Sequence, residues 1–341
     1  MNEALASGFI SVEIIRLSTT EMIWWLCWLI LHIATITLCR SELVANQSGK
    51  GDYRSLPALH RPVMKTILIP TEDHDAMPAV LEAAWLIARQ FDSYMEGFAV
   101  RPSLATYVTV EPVSSLAISG AFEEDTARQA RSEFESFMKS RAVPRAEQKG
   151  EPAVFSFDWP RDEGADDAYI GSRGRVFDLI ILGRPGPDPQ NPRMPPLEAA
   201  LFDSGRPVLV VPPFVPQTLG RNVLVAWNGS TEQARTNSYA IPLLRLADKV
   251  TVLTVEGGTT PGPSGEEAAQ HLCQKGIKTT ALTVKPGARS TGEVILDHAR
   301  SLGCDLLVKS AYTQSRLRQM IFGGATRYVL ANATLPVLMA H

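Results

Sequence analysis

The residues best suited to chemistry lie near the carboxyl end of the sequence. Gly323-Gly324-Ala325-Thr326 opens a helix within the stretch Arg316–Ala331. A helix start carries unpaired N–H groups and a partial positive charge, which suits an anion such as a phosphate. Glycine lets backbone N–H groups approach phosphate oxygens and accepts positive φ. The Thr326 hydroxyl adds a donor. Lys309 is an unexpected charge at the end of an apolar run. It has two readings, neutralising a phosphate or snorkelling at a sheet edge.

Other candidate chemistry is thin. The first half has Gly183-x-x-Gly186, but the prolines of GRPGPDPQNPRMPP follow it. They fix φ and delete N–H donors, which works against a phosphate turn. Glu72-Asp73-His74-Asp75 invites a metal reading, yet its place between a strand and a helix favours helix capping. Glu123-Glu124-Asp125 reads as a solvated helix face. No Walker A, GxSxG or HExxH occurs, nor an SGGxDS-like loop. His32, His60, His74, His271, His298 and His341 show no ligand spacing, so no metal is expected. Cys27, Cys39, Cys273 and Cys304 form no CxxC and read as reduced thiols. The net charge of −3, without a basic run, argues against nucleic acid as a partner.

These residues need elements to position them. The 341 residues leave room for about two domains, and 45% hydrophobic content supports buried cores. Strand-like runs at Lys65–Pro70, Tyr94–Val100, Ala153–Phe157, Phe177–Gly183 and Pro207–Val211 alternate with helix-like runs at Ala76–Gln90, Gly120–Arg141 and Leu197–Ser204. The pattern restarts with strands at Arg221–Trp227, Lys249–Val255, Lys278–Val284, Asp305–Ser310 and Pro336–Met339. Helices at Thr231–Arg245, Glu266–Lys275 and Gly292–Leu302 intervene, the last two closed by Gly276 and Gly303. FDLIILG at Phe177 matches CDLLVKS at Cys304, and RPVLV at Arg206 matches LPVLM at Leu335. Apolar strands alternating with helices imply a parallel sheet covered on both faces. The fold class is therefore α/β, two doubly wound five-stranded parallel-sheet domains in tandem. The stiff connector Pro212–Gly220 joins them. In such a sheet ligands sit at the carboxyl strand ends. In the second copy these are Asn228-Gly229-Ser230, Val255-Glu256-Gly257 and Ser310 to Thr326.

VLVAWNGS at Val223–Ser230 and the stretch from Ser310 to His341 resemble the universal stress protein family. The resemblance covers residues 65–341 and is more specific from 221 onward. It implies a Rossmann-like, adenine nucleotide alpha hydrolase-like fold. ATP-binding members carry Gly-x-x-Gly, nine residues, then Gly-Ser/Thr. Here Ser310 and Thr313 stand at the first two glycine positions, Gly323 at the third and Gly324 at the Ser/Thr position. A β-branched Thr313 at positive φ would be strained. Asn228 replaces the usual aspartate and keeps an acceptor for a ribose hydroxyl or adenine amine. In the first copy Glu72 lies near that acidic position, and Pro196 takes the Gly-Ser/Thr place. The implied nucleotide site is Asn228, Gly229, Val255, Ser310, Thr313, Gly323, Gly324, Ala325 and Thr326, with ATP as the ligand.

The expected organisation is a leader at 1–63, a degenerate first domain at 64–213 and a second domain at 220–341. Met22–Cys39 is apolar enough to be a single transmembrane helix. The competing reading is a mis-called start, with Met64 the natural one. The resemblance implies a cytoplasmic stress-response protein, dimeric or an internal pseudo-dimer paired through the PVLVV and PVLM strands. Inner-membrane anchoring with cytoplasmic domains is the alternative. Three functions stay open: a nucleotide-binding regulator without turnover, a non-nucleotide scaffold, and a nucleotide hydrolase.

Overall fold

The computed structural model describes residues 64–101, 116–147, 154–161, 164–188, 190–311 and 324–341. The expected leader and its apolar run 22–39 lie outside these. Among the described residues no helix is long and apolar enough to cross a membrane.

The first half contains β1 (Thr66–Thr71), α1 (Met77–Phe91), β2 (Tyr94–Ala99), α2 (Leu116–Ser140) and β3 (Ser156–Asp158). It continues with α3 (Asp167–Gly174), β4 (Leu179–Gly183), α4 (Met194–Asp203) and β5 (Val208–Val211). The second half contains β6 (Asn222–Trp227), α5 (Thr231–Leu246), β7 (Lys249–Val255), α6 (Gly265–Gln274) and β8 (Thr279–Val284). It ends with α7 (Thr291–Ser301), β9 (Leu306–Val308), α8 (Gly324–Asn332) and β10 (Val337–Met339). Gly276 and Gly303, expected to close α6 and α7, both have positive φ.

The chain has a Rossmann-type α/β fold with a mostly parallel sheet. Each half has the same internal strand order, 3-2-1-4-5. The two expected five-stranded sheets are one ten-stranded sheet, ordered β3-β2-β1-β4-β5-β10-β9-β6-β7-β8. Among the described residues its single antiparallel pairing is β5 with β10, where Val208, Leu209 and Val210 face Met339, Leu338 and Val337. Leu209 and Leu338 are mutual partners, so a local two-fold passes between them. The expected pairing through the PVLVV and PVLM strands is thus present inside one chain.

The core lies in two layers, one on each side of this sheet. One layer gathers Ile87 of α1, Phe134 of α2, Leu243 of α5 and Leu272 of α6. The other gathers Ile170 of α3, Leu197 of α4, Ile295 of α7 and Val329 of α8. Both layers draw on both halves.

The repeated aspartates have a structural job. Asp178 accepts hydrogen bonds from the backbone N–H groups of Lys65 and Thr66 at 2.7 and 3.0 Å. Asp305 accepts from those of Arg221 and Asn222 at 3.1 and 2.9 Å. Each carboxylate satisfies N–H groups where the first strand of its half begins.

Sequence periodicity does not suggest α3, because Gly171 and Gly174 interrupt the helical pattern. Gly171 serves close packing instead. A Cβ there would stand 2.5 Å from the Asp203 Cβ and 3.0 Å from the Ala199 carbonyl oxygen, both on α4.

Candidate functional site

In the second half the strand ends open into a cleft of about 180 Å³. The end of β6 contributes Ala226, Trp227 and Asn228, and β7 contributes Leu253 and Val255. The start of α7 adds Thr291 and Ile295, and the start of α8 adds Gly324, Ala325 and Thr326. Lys309, one residue past β9, also lines it. The walls combine apolar side chains such as Leu253 and Ile295 with the polar groups of Asn228, Thr291, Lys309 and Thr326.

Two helix starts meet here because Gly292 has no side chain. A Cβ at Gly292 would lie 2.7 Å from the Tyr328 Cβ and 2.8 Å from the Ala325 carbonyl oxygen. Ser290 caps α7 by accepting from the Glu293 N–H. Two positive helix ends therefore border one cleft.

Lys309 is 8% exposed. β9 lies inside the sheet, between β10 and β6, so the side chain cannot snorkel at an edge. Its Nζ donates to the Thr326 hydroxyl oxygen at 2.8 Å and the Ser310 carbonyl at 3.0 Å. No carboxylate among the described residues pairs with it. Burial lowers its pKa to about 8.

Of the sequence-predicted site, Asn228, Val255, Gly324, Ala325 and Thr326 come together in this cleft. Asn228 Oδ1 already accepts from the Ser230 N–H and hydroxyl at 3.2 and 2.9 Å. Gly229 is not part of the lining. Its φ of +78° and the Thr260 carbonyl, 2.8 Å from where a Cβ would stand, require glycine in a turn covered by the next loop. That loop is fastened by the Thr260 N–H to the Asn228 carbonyl and by Trp227 Nε1 to the Pro263 carbonyl, both 2.8 Å. Ser310 is fully buried, and its N–H donates to Gln233 Oε1 at 2.7 Å. Thr313 and Gly323 lie outside the described residues.

Sequence reasoning missed Gln233 and Thr291. The Ser290-Thr291-Gly292-Glu293 spacing, a capping pattern, was the available signal for Thr291. Gln233 had none.

The equivalent place in the first half is filled by its own side chains. Arg193, at the entrance to α4, donates to Glu72 Oε1 at 2.8 Å and to Asp167 Oδ1 at 2.7 Å. Pro195 and Pro196 stand in the first turn of α4, removing N–H groups from that helix start. The acidic run before α1 does not cap it, since no side chain caps α1 and its first turn holds no acid. Glu72 is committed to Arg193 instead. His74 packs against Gly183, and burial lowers its pKa to about 4. Among the described residues no His, Cys, Asp or Glu group is arranged to hold a metal ion.

Residues 220–341 match the universal stress protein family. The cleft lies wholly within the matched residues. A universal stress protein of Synechocystis sp. is 28% identical over 173 residues, 48% of this chain. The chain spans 57% of the length of that curated relative. A universal stress protein structure from Archaeoglobus fulgidus superposes with a TM-score of 0.62 at 15% identity, covering 81% of this chain and 98% of that one. This likeness extends the fold, though not the family match, across both halves.

Proposed function

We propose that the chain is a tandem universal stress protein with a regulatory role in stress response, acting in the cytoplasm without turning over a metabolite. Its second half binds an adenine nucleotide, ATP being the candidate ligand. Its first half is a degenerate copy that serves as a built-in structural partner in place of a second subunit. The observation that carries the reading is the cleft itself. It lies at the carboxyl ends of β6, β7 and β9, where a doubly wound sheet holds its ligands. The apolar side chains in its wall, Leu253, Val255 and Ile295, suit a base, and two helix starts with a buried lysine suit phosphates.

A second reading, a scaffold of the same fold that binds no nucleotide, is favoured by one feature. The Ser310 N–H stands where a glycine would offer a donor to phosphate, and Gln233 occupies it. Calorimetric titration of the full chain with ATP, ADP and adenosine separates the two. Saturable binding of ATP with measurable competition by adenosine supports the regulator. No heat at millimolar ATP leaves the scaffold. Release of phosphate from ATP alone would convert the regulator into a hydrolase.

A further inference from the structure

The local two-fold supplies an internal control for Lys309. Ile181 pairs with Leu209, and Val308 pairs with Leu338. Because Leu209 and Leu338 are mutual partners, Ile181 and Val308 are equivalents, and so are the residues that follow them, Leu182 and Lys309. Leu182 is a buried member of the core. The fold therefore has no need of a cation at this position, and an apolar side chain fills it well. A buried charge without a counter-ion is costly, and such violations of packing rules concentrate at functional sites.

We propose that the cleft is a phosphoryl-binding site built on Lys309, whose ε-ammonium is the counter-ion for a phosphate group carried by the ligand. This rests on the cleft being the ligand site of the second half, and not on the ligand being an adenine nucleotide. The surrounding donors fit a group with three terminal oxygens. Thr326 Oγ1 accepts from Lys309, so its own O–H is left to donate. The first N–H groups of α8 have no intrahelical acceptors. Thr291 adds a hydroxyl at the start of α7. A carboxylate, with two oxygens, would engage fewer of these.

Proton linkage follows. Among the described residues, Asn228 after β6, Val255 of β7, Thr291 of α7 and Thr326 of α8 line the cleft with Lys309, and Gln233 of α5 is bonded to the next residue. β10 offers apolar side chains. None of these ionises, so among the described residues no charge competes with a bound phosphate for the amine. An amine with a pKa of about 8 is partly neutral near that pH. Binding an anion restores the proton, so the complex takes up a proton as it forms.

The test is calorimetry of the full chain with pyrophosphate, ATP and adenosine at pH 7 and pH 9, in buffers of differing ionisation enthalpy. The same titrations are run on Lys309→Met. The wild-type chain is expected to bind pyrophosphate with proton uptake near pH 8. Its affinity should fall by about tenfold per pH unit above that value. Lys309→Met should lose the uptake and weaken pyrophosphate and ATP at least tenfold, leaving adenosine unchanged. Its fold is checked by thermal melting, where the apolar residue should be accepted as Leu182 is. Equal pyrophosphate and ATP affinity in the two chains, with the same pH profile, overturns the proposal while the nucleotide reading survives. Pyrophosphate binding that depends on Lys309, without ATP preference or adenosine competition, upholds the proposal and ends the nucleotide reading. No binding of any phosphate compound ends both.

Discussion

At the scale of single residues, Lys309 sets stability against ligand chemistry. Its pKa of about 8 when folded lies below the ordinary 10.5. Between those values the unfolded chain holds more protons than the folded one, so stability rises as pH climbs through that window. At neutral pH the full penalty applies, on the order of 3 kcal/mol. Lys309→Met should therefore stabilise the ligand-free chain at pH 7 by up to about that amount. The advantage should shrink as pH approaches the unfolded value. Urea midpoints at pH 7 and pH 10 check this, and equal midpoints at pH 7 would contradict the unpaired burial. A similar residue-scale contrast separates the two strand-one ends. Asn228 bonds Ser230 and still lines the cleft, whereas Glu72 is consumed by Arg193.

At the scale of elements, the two halves use the same strand ends and helix starts differently. In the second half, Gly292 brings α7 and α8 together and leaves the cleft between them open. In the first, Arg193 ties the end of β1, the start of α3 and the start of α4 into one knot. The Glu72 side chain is 10% exposed and the Asp167 side chain 15%. Removing the guanidinium would leave two poorly hydrated carboxylates facing each other. Arg193→Ala should cost roughly 3 kcal/mol, read as a lower urea midpoint, and create no phosphate binding in the first half because Pro195 and Pro196 remain. A change near zero would mean that the cluster is solvated in solution. The halves also communicate at this scale. Arg184, one residue past β4, donates to the carbonyls of Leu330 and Ala331. A cation from the first half thus caps the C-terminal end of the helix whose other end borders the cleft.

At the scale of the whole molecule, the sheet is the unit of stability. Leu209 and Leu338 are fully buried where β5 meets β10, and the core layers on both sides continue across that junction. Leu338→Asp would place an unpaired carboxylate at the local two-fold. It should lower stability by more than about 3 kcal/mol and do so for both halves together. With Trp24, Trp25 and Trp28 replaced by phenylalanine, tryptophan emission reports on each half, from Trp85 and Trp159 in the first and Trp227 in the second. Urea unfolding followed by emission and by circular dichroism should give one coincident transition at a lower midpoint. Two separated transitions would show that the halves fold independently.

The alternating elements, the repeat and the strand ends where a ligand would sit are legible in the residues alone. Those follow from local periodicity, from punctuation by glycine and proline, and from matched segments such as FDLIILG and CDLLVKS. Lys309 also stands out there as anomalous. What that charge meets depends on packing, because its burial requires β9 to lie inside the sheet and α8 to pack above it. The same holds for Arg193, whose partners Glu72 and Asp167 come from distant segments with no shared pattern. It holds for Gln233, which reaches the Ser310 N–H across 77 residues. The joining of two sheets into one is likewise a matter of which edges meet, and an edge strand's sequence records its faces but not its neighbour.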